Sequence, residues 1–132
     1  MPDGDGTFLF VYGTLRAGFD GAMARRLRTE ARHVGIAHAK GGLYRVDGYP
    51  GLVSGSEGVV TGDLFELKDA AFTLSWLDDY EECSPAYPAP QEYRRTMVQV
   101  KGEAGPVMVW TYIFAHPIEG LARIESGDFL MG

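Results

Sequence analysis

The sequence predicts an α+β fold, with a small mixed or antiparallel barrel-like sheet of five to seven strands and two short helices. Three observations support this fold class. Glycine contributes 18 of the 132 residues, about twice its usual share of ~7%, which favours short strands joined by tight turns. Two segments have helical periodicity, whereas several others have strand-like composition. Hydrophobic residues make up 45% of the chain, so we expect one globular domain over residues 1–132.

The first third of the chain predicts a strand, a helix and a second strand. The apolar, aromatic run Thr7–Tyr12 is typical of a buried strand. Within Gly21–Ala31, Met23 and Leu27 lie four residues apart, which predicts a short amphipathic helix. We expect His33–Arg45 to form one strand with bends at its glycines.

A turn and an irregular strand are predicted next. Asp47–Gly51 contains the Gly and Pro signals of a dense turn. Val59–Leu67 has imperfect strand alternation, because the apolar positions change phase at Gly62. This break predicts a β-bulge at Gly62.

The segment Leu67–Tyr80 changes from strand to helical periodicity. Phe72, Trp76 and Tyr80 are spaced four residues apart, with Leu77 beside them, which predicts a helix with one apolar face. Asp69 stands where an N-cap is expected.

The remainder of the chain predicts a loop, a hairpin and a short tail. Three prolines exclude helix or central strand from Ser84–Gln91. Tyr93–Lys101 and Pro106–Ala115 should pair around the glycine-containing turn Gly102–Gly105. The tail Glu125–Leu130 is a turn followed by a hydrophobic tether.

Charge and cysteine content limit the possible functions. Twelve basic against 18 acidic residues give a net charge of −6, which argues against nucleic acid as a partner, because phosphate binding needs a basic surface. A single cysteine, Cys83, cannot form an internal disulfide and indicates a reducing compartment. Met1–Thr7 lacks the basic region of a signal peptide, and no apolar run approaches the ~20 residues of a membrane span. We therefore expect a cytoplasmic protein without membrane association; its oligomeric state is left open.

The turn after the first strand is one candidate site. Gly13 allows a ligand to approach the backbone, Thr14 adds a hydroxyl, and successive N–H groups could hold a carboxylate or an oxyanion. An ordinary exit from a strand explains the same residues and is the commoner case. Arg16 could pair with an anionic ligand or lie in water.

Four carboxylates at the end of the second helix form another candidate site. Asp78, Asp79, Glu81 and Glu82 repel one another and face the negative end of the helix dipole. If one of them is withdrawn from water, its pKa should be raised, as a general base requires. A solvated acidic turn is again the commoner outcome of such a charge run.

Taken together, these motifs resemble a known family. Phe10–Arg16, Tyr49–Val53, Leu77–Cys83 and Tyr93–Arg95 occur in the order found in the γ-glutamylcyclotransferase-like (AIG2-like) superfamily. The Leu-Asp-Asp-Tyr-Glu-Glu-Cys form is most similar to the γ-glutamylamine cyclotransferase branch. The resemblance extends from Phe8 to about Phe114.

The resemblance implies an enzyme that cyclises a γ-glutamyl group. In this acyl-transfer or lyase-type reaction, the α-amine attacks the γ-carbonyl of the same molecule, and 5-oxoproline and an amine are released. By position, Glu81 would be the general acid/base. The substrate, a small γ-glutamyl amine, peptide or amino acid, would be held by the turn residues Tyr12, Gly13, Thr14 and Leu15. No metal or other cofactor is implied.

Several alternatives stay open beside this interpretation. Tyr93 could reach the substrate from the open end of the barrel, and Glu82 could share the role of Glu81. The proline-rich segment 84–92 is longer than the family's usual connection and stands where a leaving group could be recognised. The three histidines lack zinc-site spacing, and no histidine close in sequence would activate Cys83. A non-catalytic small-molecule-binding or regulatory protein on the same fold is the alternative function.

Overall fold

A computed structural model describes residues 6–17, 21–46, 49–54, 57–81 and 91–131. Two α-helices lie within these ranges: α1 (Ala22–Glu30) and α2 (Ala70–Tyr80). The strands are β1 (Phe8–Val11), β2 (Ala31–Lys40), β3 (Gly42–Arg45), β4 (Pro50–Val53), β5 (Val59–Leu67), β6 (Tyr93–Gly102), β7 (Gly105–Phe114) and β8 (Ala122–Arg123). A short 3-10 helix covers Phe129–Met131.

Five strands close into a mixed barrel in the order β1-β5-β2-β6-β7. The parallel pairing of Leu9 in β1 with Trp110 in β7 completes the circle. From β7 the sheet continues through β4 and β3 to β8, beginning with the parallel pair Leu52 and Ile113. The predicted fold class is confirmed, although these additional strands bring the described sheet to eight strands instead of five to seven.

Alternate residues of β1 point into two different cores. Phe10 packs with residues of the sheet and of the chain after β8, and no residue of α1 or α2 belongs to this core, which fills the barrel. Leu9 and Val11 pack with Leu27 of α1 and Leu77 of α2, so this core lies between the sheet and the helices. The two helices therefore cover the outside of the barrel on one side.

The predicted strand His33–Arg45 is wrong, because the chain forms two strands there. Gly41 separates β2 from β3 and has a positive φ of +150°. A Cβ added at Gly41 would lie 2.5 Å from the carbonyl oxygen of Val53, so only glycine fits. The predicted turn Asp47–Gly51 is wrong at its last two residues, because Pro50 and Gly51 belong to β4. Residues 47–48 lie outside the described ranges.

The predicted bulge at Gly62 is also wrong. The register shifts in the partner strand, between His33 and Gly35 of β2, whereas Gly62 pairs regularly with Ala37. A Cβ at Gly62 would lie 2.6 Å from the Phe10 ring. Gly62 thus makes room for an aromatic side chain inside the barrel.

The helix α2 is confirmed, together with its cap. The Asp69 side chain accepts a hydrogen bond from the Phe72 backbone N–H at 3.2 Å, which satisfies one N–H of the first turn. The predicted apolar face is wrong, however, because Phe72 is 56% and Tyr80 42% exposed. Leu77 of the predicted face is buried, together with Thr73 and Leu74, which the prediction did not include.

Polar contacts with α1 explain this orientation of α2. Glu30 at the end of α1 accepts hydrogen bonds from the indole N–H of Trp76 (2.7 Å) and the hydroxyl of Thr73 (2.9 Å). Burial alone would raise the pKa of Glu30, but the donors Trp76, Arg26 and Thr73 outweigh it and hold the pKa below its ordinary value. The face of α2 that carries Thr73 therefore turns inward.

The hairpin of β6 and β7 is confirmed: β6 extends one residue further than predicted, and β7 begins and ends one residue earlier. The predicted loop Ser84–Gln91 lies outside the described ranges except for Gln91, which is not in a strand. In the tail, Phe129 packs against the barrel core. Within the described part of the chain, α1 and α2, of 9 and 11 residues, are too short to cross a membrane.

Candidate active site

The turn after β1 is held closely against β4. The backbone N–H of Arg16 donates to the carbonyl oxygen of Gly13 at 3.1 Å, which closes the turn. A Cβ added at Gly13 would lie 2.7 Å from Cγ of Pro50. Glycine is therefore required at this position by the approach of Pro50 to the backbone.

Tyr12 begins this turn and is buried in the barrel core. Its hydroxyl donates a short hydrogen bond to the carbonyl oxygen of Tyr112. Burial raises the pKa of Tyr12, the negative charge of Glu81 raises it further, and the Leu52 backbone lowers it in part. Tyr12 is consequently a neutral hydrogen-bond donor that lies within the field of Glu81.

Glu81 follows the last residue of α2. It is partly buried, and its N–H donates to the Leu77 carbonyl oxygen at 2.8 Å, so the helix backbone fixes its position. The hydroxyl of the preceding residue, Tyr80, lies 3.1 Å from the hydroxyl of Thr14. The end of α2 and the turn after β1 are thus in direct contact.

Tyr93 links a third segment to the same place. Its buried hydroxyl donates to the carbonyl oxygen of Pro50 at 2.7 Å. Burial raises the pKa of Tyr93, and the nearby groups Tyr12 and Glu81 raise it further. The Glu81 charge therefore acts on both tyrosines.

Leu15 contributes differently from the other candidate residues. Its side chain is 4% exposed and packs in the core beneath the helices. Its side chain is therefore not available to a ligand. Among the residues that the structure describes, the N–H groups of Thr14 and Leu15 have no hydrogen-bond partner, in contrast to that of Arg16.

The Arg16 side chain points into the protein, whereas the sequence predicts that it pairs with an anionic ligand or lies in water. Its side chain is 5% exposed, and its guanidinium pairs with Asp63 at 2.9 Å and with Asp128 at 2.6 Å. Asp63 also accepts a hydrogen bond from the Ala17 N–H at 3.0 Å. Arg16 is therefore neither in water nor placed to bind a ligand, and its pairing anchors the turn to β5 and to the tail.

Sequence reasoning missed Asp63 altogether. The residue is 3% exposed, and its second oxygen lies 2.9 Å from Nε2 of His33. Burial alone would raise the pKa of Asp63, but hydrogen bonds from Arg16, His33 and Ala17 outweigh it and lower the pKa. A lone Asp inside an apolar strand was the available sequence signal, because such a residue needs a buried partner.

The acidic residues at the end of α2 have separate environments. Asp78 accepts two hydrogen bonds from Arg95, at 2.8 and 3.2 Å, and one from the hydroxyl of Tyr112 at 2.7 Å. Asp79 is exposed, and Glu82 lies outside the described residues. Glu81 is the described residue of this group that directly follows Tyr80, whose hydroxyl contacts the β1 turn.

No group of three or more His, Cys, Asp or Glu side chains suited to a metal ion occurs in the described ranges. His33 is engaged with Asp63, and His116 packs against the edge of Phe114 with ring centroids 5.8 Å apart. Cys83 lies outside the described residues.

The fold, together with the turn after β1 and the end of α2 beside it, defines a γ-glutamylcyclotransferase-like protein. The chain belongs to the γ-glutamyl cyclotransferase, AIG2-like family, whose profile matches residues 9–131. It is 33% identical over 124 residues to the γ-glutamylcyclotransferase family protein YtfP of Escherichia coli strain K12, covering 92% of this chain and 95% of that protein.

Solved structures share the fold. The solution structure of ytfP from Escherichia coli has a TM-score of 0.66 and 31% identity, covering 94% of this chain and 96% of that one. An aig2-like protein from Mus musculus has a TM-score of 0.67 and 26% identity, covering 83% and 77%. YkqA from Bacillus subtilis has a TM-score of 0.68 and 25% identity, covering 93% of this chain but 39% of that longer one.

Proposed function

We propose that this protein releases 5-oxoproline from a γ-glutamyl compound by intramolecular aminolysis, with Glu81 as the general acid/base. The observation that carries the proposal is the position of Glu81 at the end of α2, where Tyr80 contacts Thr14 at 3.1 Å. Membership of the γ-glutamyl cyclotransferase family supports the reaction class. The influence of the Glu81 charge on Tyr12 and Tyr93 supports its location beside both segments.

The β1 turn would bind the glutamyl part of the substrate. The N–H groups of Thr14 and Leu15 are suited to a carboxylate or to the oxyanion that forms at the γ-carbonyl. Gly13 presents backbone without a side chain, so the substrate can approach closely. Tyr93 would act as a positioning residue, because its hydroxyl holds Pro50, and Pro50 packs against Gly13.

Glu81 would manage the protons of the reaction. The α-ammonium loses a proton to Glu81 and attacks the γ-carbonyl carbon, so that the new C–N bond closes a five-membered ring. The bond to the leaving nitrogen then breaks. Overall, the attacking nitrogen loses two of its three protons and the leaving nitrogen gains two, with Glu81 unchanged at the end. Because both reacting groups belong to one molecule, holding the folded conformer supplies much of the rate.

The direct test is a panel of γ-glutamyl amines, amino acids and peptides, incubated with the purified full chain and assayed for 5-oxoproline. We expect at least one compound to give 5-oxoproline and an equimolar amount of the released amine. The N-acetyl derivative of that compound is the matched control, because it lacks the attacking amine and should not react.

Two outcomes would contradict the proposal. Release of glutamate from the free compound, and of N-acetylglutamate from the N-acetylated one, instead of 5-oxoproline would indicate hydrolysis. Saturable binding of γ-glutamyl compounds without any product would instead support the alternative, a non-catalytic binding protein on the same fold.

A further inference from the structure

Tyr112 of β7 contacts both segments of the candidate site. Its hydroxyl donates a hydrogen bond at 2.7 Å to Asp78, in the last turn of α2. Its carbonyl oxygen accepts a hydrogen bond from the hydroxyl of Tyr12, the first residue of the turn after β1. One residue of the sheet is therefore bonded to the end of α2 and to the start of that turn.

The two contacts come from different layers of the fold. The Tyr112 side chain is 4% exposed and belongs to the core between the sheet and the helices. Tyr12 belongs to the core inside the barrel, and its hydroxyl reaches the β7 backbone from there. At Tyr112, β7 thus connects the helical cover to the barrel interior.

A second side chain of the sheet holds the same carboxylate of α2. Arg95 stands directly opposite Tyr112 in the pairing of β6 with β7, and cross-strand partners project from the same face of a sheet. Arg95 donates to both oxygens of Asp78, at 2.8 and 3.2 Å. Hydrogen bonds from two neighbouring strands therefore fix the Asp78 carboxylate.

Asp78 lies one helical turn before Glu81. The two residues are three positions apart, which corresponds to about 4.5 Å along a helix axis. The N–H of Glu81 donates to the Leu77 carbonyl oxygen at 2.8 Å, so the helix still holds its backbone. Fixing Asp78 consequently fixes the backbone from which the Glu81 side chain projects.

We propose that Tyr112 is a positioning residue for the general acid/base, because it holds Asp78 at the end of α2 and Tyr12 at the start of the β1 turn. This inference rests on the proposed function. Tyr112 itself neither touches the substrate nor exchanges a proton with it. Loss of its hydroxyl should impair proton transfer by Glu81, which requires hydrogen-bond reach, and should leave binding of the glutamyl group by the turn unchanged.

Tyr112→Phe tests the proposal, because it removes the hydroxyl and keeps the ring. With the full chain and the best γ-glutamyl substrate of the panel, we expect kcat to fall about tenfold, the effect of one hydrogen bond to a charged group. KM should stay within about twofold of the wild type, as expected when only transition-state interactions are lost.

Asp78→Ala removes the same contact from the side of the helix. It should lower kcat at least as much as Tyr112→Phe does. The double variant should lose no more than Asp78→Ala alone, since both substitutions break one and the same hydrogen bond. Additive losses in kcat would show that Tyr112 does not act through Asp78 and would overturn the inference.

Thr73→Val is the matched control for stability. It removes a buried hydroxyl that donates to a carboxylate, that of Glu30, at 2.9 Å in the first turn of the same helix. In urea unfolding, Thr73→Val and Tyr112→Phe should lose comparable stability, because each loses one bond from a hydroxyl to a carboxylate. Thr73→Val should nevertheless keep the wild-type kcat.

Three further outcomes have a defined meaning. A wild-type kcat in folded Tyr112→Phe, or an equal loss of kcat in Thr73→Val, would overturn the inference. A raised KM at unchanged kcat would also overturn it, because Tyr112 would then act on substrate binding. These outcomes leave the reaction standing, whereas absence of 5-oxoproline from every compound given to the wild type would overturn the proposed function and this inference with it.

Discussion

The hydroxyl of Thr14 lies 3.1 Å from the hydroxyl of Tyr80, a residue 66 positions further along the chain. This contact joins the turn after β1 to the end of α2. Glu81 is the next residue after Tyr80, and its backbone is held by the hydrogen bond to the Leu77 carbonyl oxygen. The proposed site is therefore assembled between two segments that belong to different layers of the fold, the barrel and its helical cover.

Removal of this contact should lower activity more than stability. In Tyr80→Phe we expect kcat/KM to fall about fivefold, corresponding to one hydrogen bond of ~1 kcal/mol. The free energy of unfolding should change by less than about 1 kcal/mol, because the ring is 42% exposed and is retained. Thr14→Val should give the same loss, and the double variant should lose no more than either single one. Additive losses in kcat/KM would show that the two hydroxyls act independently.

Gly13 should not tolerate a side chain. In Gly13→Ala the added Cβ would lie 2.7 Å from Cγ of Pro50, so the turn or β4 must shift. We expect a loss of about 1–3 kcal/mol in the free energy of unfolding, as overpacking generally costs, together with a loss of activity. Urea denaturation and 5-oxoproline assays measure both effects.

Gly102→Ala is the matched control for Gly13→Ala. Its nearest contact would be a side-chain carbon of Leu64 at 3.4 Å, an ordinary van der Waals distance. We expect a change within about 0.5 kcal/mol. A stability loss as large as that of Gly13→Ala would mean that the loss of a glycine as such, and not the contact with Pro50, determines the effect.

The buried pair of Arg16 and Asp63 should be more important for stability than an exposed pair. Asp63→Asn removes one of the two carboxylates that pair with the Arg16 guanidinium at 4–5% side-chain exposure, and Asp128 remains, so we expect a loss of about 1.5–3 kcal/mol. Arg26→Gln breaks an ion pair whose arginine is 39% exposed, and should cost about 1 kcal/mol. Urea unfolding of both variants tests this difference; equal losses would contradict it.

Asp63 should also make the protein sensitive to acid. The pKa of Asp63 is about 3.9 in the unfolded chain and is lower in the folded protein. The stability that Asp63 contributes is therefore complete above about pH 3.9 and is lost as the pH falls through the pKa of the folded state. Between pH 5 and pH 2, the urea midpoint of the wild type should therefore fall more steeply than that of Asp63→Asn. Parallel pH dependences of the two proteins would rule out this assignment.

Local signals in the sequence were sufficient for several elements. The cap at Asp69 and the helical spacing after it predict α2, because both depend on residues within one turn of each other. The hairpin of β6 and β7 follows from two apolar segments around a glycine-containing turn. These features do not require knowledge of the rest of the fold.

Contacts between distant residues explain the failures. The inward face of α2 is selected by Glu30, which binds Thr73 and Trp76 across more than 40 residues. The glycine at 62 is needed by the Phe10 ring, a contact invisible in the alternation of β5 itself.

The candidate site likewise contains residues that the local sequence predicts and a residue that only a contact between distant segments reveals. The residues of the β1 turn and Glu81 stand out from their motifs, whereas Asp63 is evident only once β5 is placed beside the turn.

The role of Glu81 is tested most directly by replacing each of the neighbouring acids in turn: Glu81→Gln, Asp79→Asn and Glu82→Gln. Every variant removes one negative charge at nearly constant volume. Each should be compared with the wild type in circular dichroism and urea unfolding, which establishes that the fold is retained. The decisive quantity is kcat for 5-oxoproline release from the best γ-glutamyl substrate of the panel.

We expect Glu81→Gln to lower kcat by at least about 100-fold, the usual effect of removing a general acid/base. Asp79→Asn and Glu82→Gln should stay within a few-fold of the wild type. A folded Glu81→Gln variant that releases 5-oxoproline at the wild-type rate would contradict the assignment, and inactivation by Glu82→Gln alone would move the role to that residue.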